Sequence, residues 1–164
     1  MNLARPIRVI GIGSAHGDDA AGFAAIDRLR ELGDWPADIS FHTVAGGAGL
    51  LDLLDGQGSV VLIDALAPGG NPGAIVRLDW PDPRLQSLRS GSTHQVTPSE
   101  ALELATTLRL LPTQVVVWGI EAHQASPGAE LSPAVRAGLS ELIERSAAEL
   151  RAEDKAARRA GPLG

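Results

Sequence analysis

The chain has 164 residues, of which 44% are hydrophobic and 21% charged, with a formal net charge of −6. A domain of this size buries roughly 68–70% of its unfolded surface and folds without a disulfide or structural metal. There is no cysteine, which excludes a thiol nucleophile, an iron–sulfur cluster and a thiolate zinc site. The acidic balance argues against a broad nucleic-acid surface, because backbone binding needs clustered Lys and Arg to displace counterions. The opening Met1-Asn2-Leu3-Ala4-Arg5-Pro6 leads into a short run broken by Arg8, with no apolar signal-peptide core. No stretch approaches the roughly 20 apolar residues of a membrane span. The expectation is a cytoplasmic protein with neither nucleic-acid nor membrane partner.

In chain order, Ile7 to Gly13 reads as a buried first strand. Asp18 or Asp19 can cap a helix carrying Phe23, Ile26, Leu29 and Leu32, which Gly33 stops. Ile39 to Val44 is a second strand. Gly46, Gly47 and Gly49 break it, and a short helix through Leu50, Leu51, Leu53 and Leu54 follows. Ser59-Val-Val-Leu-Ile-Asp64 is the clearest buried strand, and Gly69 to Gly73 is a loop by composition. Ala74 to Leu78 suggests another strand, and residues 79 to 93 look irregular. That strand follows its neighbour too closely for a crossover and is expected to run antiparallel.

Thr97-Pro98-Ser99-Glu100 is a helix start with a capping box. Ala101, Leu104, Ala105, Leu108 and Leu111 supply its expected inner face, and Pro112 its end. Val115 to Ile120 is another buried strand. Ser132-Pro133 opens the last helix, whose apolar stripe runs from Val135 to Leu150. From Arg151 the chain reads as a frayed helix end and then a disordered tail over 151–164. Strands alternating with helices predict an α/β fold. It is expected to be a single-domain three-layer αβα sandwich over residues 1–150, with a mixed, mostly parallel sheet of about five strands.

Ligands of open α/β sheets bind beyond the carboxyl ends of the strands. That rule selects Ser14, His16, Asp18 and Asp19 after the first strand, Asp64 after the third, Ser92, Thr93 and His94 before the Thr97 helix, and Glu121 and His123 after the last strand. Asp19, Asp64 and His94 together suit a borderline divalent metal, since imidazole and carboxylate donors accept several such ions. Asp64 and His94 are expected to face solvent at this edge. Plainer readings compete. An Asp before a helix is more often a cap, which is the reading for Asp18. An Asp ending a strand can simply begin a turn. A single His in a Ser/Thr-rich loop is usually structural, His42 lies inside a strand, and Glu121 can be a solvated strand end. Gly11-Ile-Gly13-Ser-Ala-His-Gly17 lacks the third glycine of a dinucleotide loop, and no acidic residue ends the second strand. There is no Walker loop, no Gly-x-Ser-x-Gly elbow and no His-Glu-x-x-His helix.

Taken together, these segments resemble a known family. Gly11-Ile-Gly13 with Gly17-Asp-Asp19 and Gly22, Val61-Leu-Ile-Asp64-Ala65 with Pro72-Gly73, Ser92-Thr-His94, and Val115-Val-Val-Trp-Gly-Ile-Glu121 with Leu131-Ser-Pro-Ala-Val135 are similar to the signatures of nickel–iron hydrogenase maturation endopeptidases. The likeness spans about residues 7 to 150. It implies removal of a C-terminal extension from the nickel–iron hydrogenase large-subunit precursor after nickel insertion. It also implies a nickel-recognising, catalytic site at Asp19, Asp64 and His94. The nickel would be presented by the precursor, so no permanently bound cofactor is expected. Ser14 stands where the family usually has Asn, the loop to Asp18 is one residue shorter than usual, and His16 is a further candidate ligand. Two alternatives stay open: a non-catalytic module that checks the precursor's metal centre, and an unrelated hydrolase or nucleotide-binding enzyme on the same sheet.

Overall fold

A computed structural model describes residues 3–87, 95–123 and 126–161. The elements run in chain order as β1 (Ile7–Ile12), a 3-10 turn (Gly17–Ala20), α1 (Ala21–Leu32), β2 (Ile39–Val44), α2 (Gly47–Asp52), β3 (Ser59–Leu66) and β4 (Ile75–Asp79). A second 3-10 turn (Pro83–Ser87), α3 (Pro98–Thr107), β5 (Gln114–Glu121) and α4 (Pro133–Ala160) complete the chain. The five strands form one sheet in the order β2-β1-β3-β5-β4. All pairs are parallel except β4 with β5. Ile7 aligns with Ile39 and Ser59, and Ser59 with Gln114. The four parallel strands therefore start level and deliver their carboxyl ends to one edge.

The alternation of side chains along each strand splits the core in two. Ile7 and Val9 of β1, Val61 and Ile63 of β3, and Val116, Trp118 and Ile120 of β5 pack with α1 and α4. Ile10 and Ile12, Val60 and Leu62, and Val115 and Val117 pack with α2 and α3. The result is three layers, with a buried sheet between two helical ones. No helix among the described residues is long and apolar enough to cross a membrane.

Gly11 and Gly13 share the α1 face of β1, and their role is steric. A Cβ on Gly11 would stand 2.3 Å from the Gly22 carbonyl oxygen, and one on Gly13 only 2.1 Å from that of Asp19. Gly22 returns the constraint, since its Cβ would lie 2.2 Å from the Ile12 carbonyl oxygen and 2.7 Å from that of Ile63. The glycine pair thus serves close packing of helix on strand. This accounts for a glycine pattern without the dinucleotide fingerprint.

Several expectations need correction. In α3 the buried apolar residues are Ala101, Leu102 and Ala105, whereas Leu104 and Leu108 are exposed. The helix ends at Thr107, so Leu108 is its C-cap and Leu111 lies beyond the turn after it. The stretch expected to be irregular holds the second 3-10 turn, whose Leu85 is fully buried and whose carbonyl accepts from Ser99 Oγ at 2.6 Å. The largest correction concerns the C-terminus. Helix α4 continues through Arg151 to Ala160, where a frayed helix end and then a disordered tail are expected; residues 162–164 of that tail lie outside the described residues. Glu153 is buried and its Oε2 accepts from the Leu3 backbone N–H at 2.9 Å. Arg5 reaches Asp154 at 3.4 Å, and the Arg151 guanidinium lies 5.1 Å from the centroid of Trp35. The sequence hid this because the partners are polar and come from the other end of the chain.

Candidate functional site

The strand order reverses between β1 and β3. The chain leaves β1 for β2 on one side, then crosses to β3 on the other. Such a switch point opens a crevice at the carboxyl edge of the sheet. Asp19 stands in the 3-10 turn that follows β1, and Asp64 stands near the end of β3. The two segments are in close contact, since Gly22 packs against the carbonyl of Ile63, the residue before Asp64. The structure thus brings these two predicted residues to the same switch point.

Asp64 is 1% exposed and its Oδ1 accepts from the Ala65 N–H at 2.7 Å. It shares the sheet face of Val60 and Leu62, on the α2 and α3 side. The expectation that Asp64 faces solvent is therefore corrected, because β3 continues two residues beyond it and its side chain is buried on a covered face of the sheet. Asp19 is 9% exposed, and its carboxylate has no hydrogen-bond partner among the described residues. Its backbone is held on both sides. The Asp19 N–H donates to the His16 carbonyl at 3.1 Å, and its carbonyl accepts from the Ser14 N–H at 3.1 Å.

His94, with Ser92 and Thr93, lies outside the described residues. Among the described residues, no group of three His, Cys, Asp or Glu side chains could hold a metal ion. The chain resumes at Gln95, and this segment packs at the same edge. The Val96 carbonyl accepts from the Gly47 N–H at 3.0 Å. Gln95 and Val96 line a cleft of about 340 Å³ with Ala45, Gly46, Gly47, Ala48 and Gly49. A Cβ on Gly47 would stand 2.3 Å from the Thr97 carbonyl oxygen. The glycines after β2 thus allow the segment after His94 to lie against the switch-point edge. Sequence reasoning treated them only as a break, although glycines beside a strand end can also signal close backbone approach.

The remaining candidates separate by geometry. Asp18 was read as a helix cap, yet neither its own turn nor α1 has a side-chain cap hydrogen bond at its N-terminus. It is fully buried and accepts from the backbone N–H groups of His123 and Ser132 and from the Ser132 hydroxyl. Glu121 is likewise more than a solvated strand end. Its Oε1 accepts from the N–H groups of Gly69 at 2.5 Å and Asn71 at 2.7 Å, holding the loop after β3. His16 is exposed and its N–H donates to Ser14 Oγ at 3.3 Å, closing a local turn. His42 lies in β2, away from the carboxyl edge, with Nε2 2.9 Å from Ser40 Oγ.

Chemically, this edge offers two carboxylates, one of them with no hydrogen-bond partner among the described residues. Comparison with known proteins gives this arrangement a context. A family model described as hydrogenase maturation protease matches residues 37–149, a stretch that holds Asp64 and His94 and begins after Asp19. The hydrogenase maturating endopeptidase HybD from E. coli is 24% identical, with a TM-score of 0.74 over 92% of this chain and 93% of that one. The [NiFe] hydrogenase maturation protease HybD from Thermococcus kodakarensis is 25% identical, with a TM-score of 0.65 over 89% and 97%. The [NiFe] hydrogenase maturation protease HycI from Thermococcus kodakarensis KOD1 is 21% identical, with a TM-score of 0.64 over 90% and 94%. No curated protein matches the sequence.

Proposed function

The chain belongs to the hydrogenase maturation protease family, and we propose on that premise that it trims a nickel–iron hydrogenase large-subunit precursor after nickel insertion. It is a peptidase by family. The finer reading is that it removes the C-terminal extension, with Asp19, Asp64 and His94 engaging the nickel that the precursor carries. The observation that supports it most is the contact at the β1/β3 switch point between the segments that carry Asp19 and Asp64. The segment directly after His94 is packed along the same edge.

In this reading the nickel is part of the substrate. Carboxylate and imidazole donors suit a borderline ion, and an incomplete donor set suits transient capture better than permanent binding. Held at the switch point, the precursor's metal centre would fix the scissile bond beside the same carboxylates. Peptide hydrolysis needs a base to take a proton from the attacking water as it adds to the carbonyl carbon. It also needs a proton for the departing amine. Asp19 is the candidate base, because its carboxylate has no competing hydrogen bond among the described residues.

The test is intact-mass analysis of nickel-loaded precursor incubated with the protein. Asp64→Asn keeps a carbonyl oxygen for the Ala65 N–H while removing the charge, so the fold should persist and trimming should stop. Asp19→Asn and His94→Ala should also stop it, and precursor lacking nickel should resist the unmodified protein. Equal cutting of apo-precursor, or full activity in all three variants, would overturn metal-guided cleavage at this site.

A further inference from the structure

Asp18 lies next to Asp19 in sequence but is engaged quite differently. Its Oδ1 accepts from the Ser132 N–H at 2.6 Å, and its Oδ2 accepts from the His123 N–H at 2.8 Å and Ser132 Oγ at 2.9 Å. One residue earlier, the Gly17 N–H donates to the Ala129 carbonyl at 3.0 Å. Four hydrogen bonds among the described residues therefore staple the turn after β1 to the segment between β5 and α4, more than 100 residues away in sequence. Ser132 is the N-cap of α4, and its Oγ also accepts from the Val135 N–H at 3.4 Å. The tether thus ends on the head of a long helix packed into the core.

A carboxylate is fully buried here at a considerable desolvation cost unless it is well hydrogen-bonded, and three donors among the described residues converge on it. A neutral capping role would not need that. The turn it holds is only four residues long, Gly17–Ala20, and Asp19 sits inside it. On the opposite side, Gly13 leaves no room between β1 and the Asp19 carbonyl. We propose that Asp18 is the positioning residue of the site, a buried anchor that fixes the Asp19 carboxylate at the switch point by fastening its turn to the head of α4. This role rests on the assignment of Asp19 to the site. Asp18 itself faces the β5–α4 segment and is not a metal ligand.

The test uses the full chain with Asp18→Asn, Ser132→Ala and Ser132→Thr, and with Glu153→Ala as a control that loses a buried carboxylate anchor at the opposite sheet edge. Asp18→Asn turns an amide NH2 toward donors, so it should raise hydrogen exchange in residues 14–20 and 126–132 together. Turnover of nickel-loaded precursor at saturation, measured well below the melting temperature, should fall about a hundredfold, as displaced catalytic groups do. Ser132→Ala, the milder variant if Asp18→Asn does not fold, should lose on the order of tenfold. Ser132→Thr keeps the hydroxyl and should restore turnover. Glu153→Ala should lose stability but not turnover. Unchanged exchange in the two segments, or loosening with full turnover, would overturn the role of Asp18. So would an equal loss of turnover in Glu153→Ala. If Asp19→Asn and Asp64→Asn cut normally, the site assignment fails and Asp18's positioning role falls with it. The exchange data would then still report whether the tether exists.

Discussion

Removing residues 151–164 should destabilise the protein without touching its chemistry. The deletion takes away Glu153, whose buried carboxylate receives the Leu3 N–H at 2.9 Å, and a hydrogen bond to a charged group contributes about 1.5–3 kcal/mol. It removes Arg151 from the face of Trp35, worth about 0.5–1 kcal/mol at an exposed site. It also removes Asp154 from Arg5, which adds on the order of 0.5 kcal/mol for a partly exposed pair. The exposed remainder of the helix is close to neutral, since helix propagation in water is nearly balanced. The expected loss is about 3 kcal/mol, which at about 2–4 °C per kcal/mol lowers the melting temperature by roughly 6–12 °C. Circular dichroism melts of the full chain, the truncation and Glu153→Ala measure this, and Glu153→Ala alone should account for about half or more of it. The contacts lie beside the start of β1, at the sheet edge opposite Asp19 and Asp64, so precursor cleavage well below the melting temperature should be unchanged. A shift under about 2 °C would show that the docking contributes little net energy and would refute the argument.

Four further outcomes follow from local geometry and charge. Gly22→Ala should cost about 3 kcal/mol or more in denaturant unfolding, because its Cβ would meet fixed backbone oxygens at 2.2 and 2.7 Å. Gly46→Ala, whose Cβ would approach nothing nearer than 3.7 Å, should stay within about 0.5 kcal/mol. The His42 imidazole should titrate below 6.5 by NMR, since burial first, and then Arg8 and Arg30, disfavour its protonated form. The folded state then binds fewer protons than the unfolded one, so this contribution is complete above 6.5 and is lost as pH falls through the depressed folded value; Arg8→Gln should move the midpoint upward. The Asp82 carboxyl should titrate at about 2, held down first by its side-chain hydrogen bond with Arg84, and Arg84→Ala should return it toward 3.8. A midpoint unchanged by that substitution would exclude Arg84 as the cause.

The amino-acid sequence by itself determined the elements whose signals are local. The apolar β-branched runs of β3 and β5, the Thr97 capping box and the Ser132-Pro133 start depend on neighbours within a few residues, and each appears where its pattern indicated. The antiparallel β4 was legible too, because the loop before it is too short for a crossover. Asp19 and Asp64 were legible as candidates because strand ends in such a sheet point to one edge. His94 entered as a candidate by the same rule, and its position lies outside the described residues. What the tertiary structure alone decided were the contacts between distant segments. Leu102 rather than Leu104 faces inward because the sheet and α2 set the roll of α3, and a short helix with apolar residues on several faces does not choose by itself. Asp18 became a clamp on α4 instead of a cap because its donors arrive from residues 123 and 132. Helix α4 docks at Glu153 and Asp154 because Leu3 and Arg5 reach them from the far end of the chain. Pairings of this kind leave no periodicity in sequence, because they depend on which surfaces the sheet order brings together.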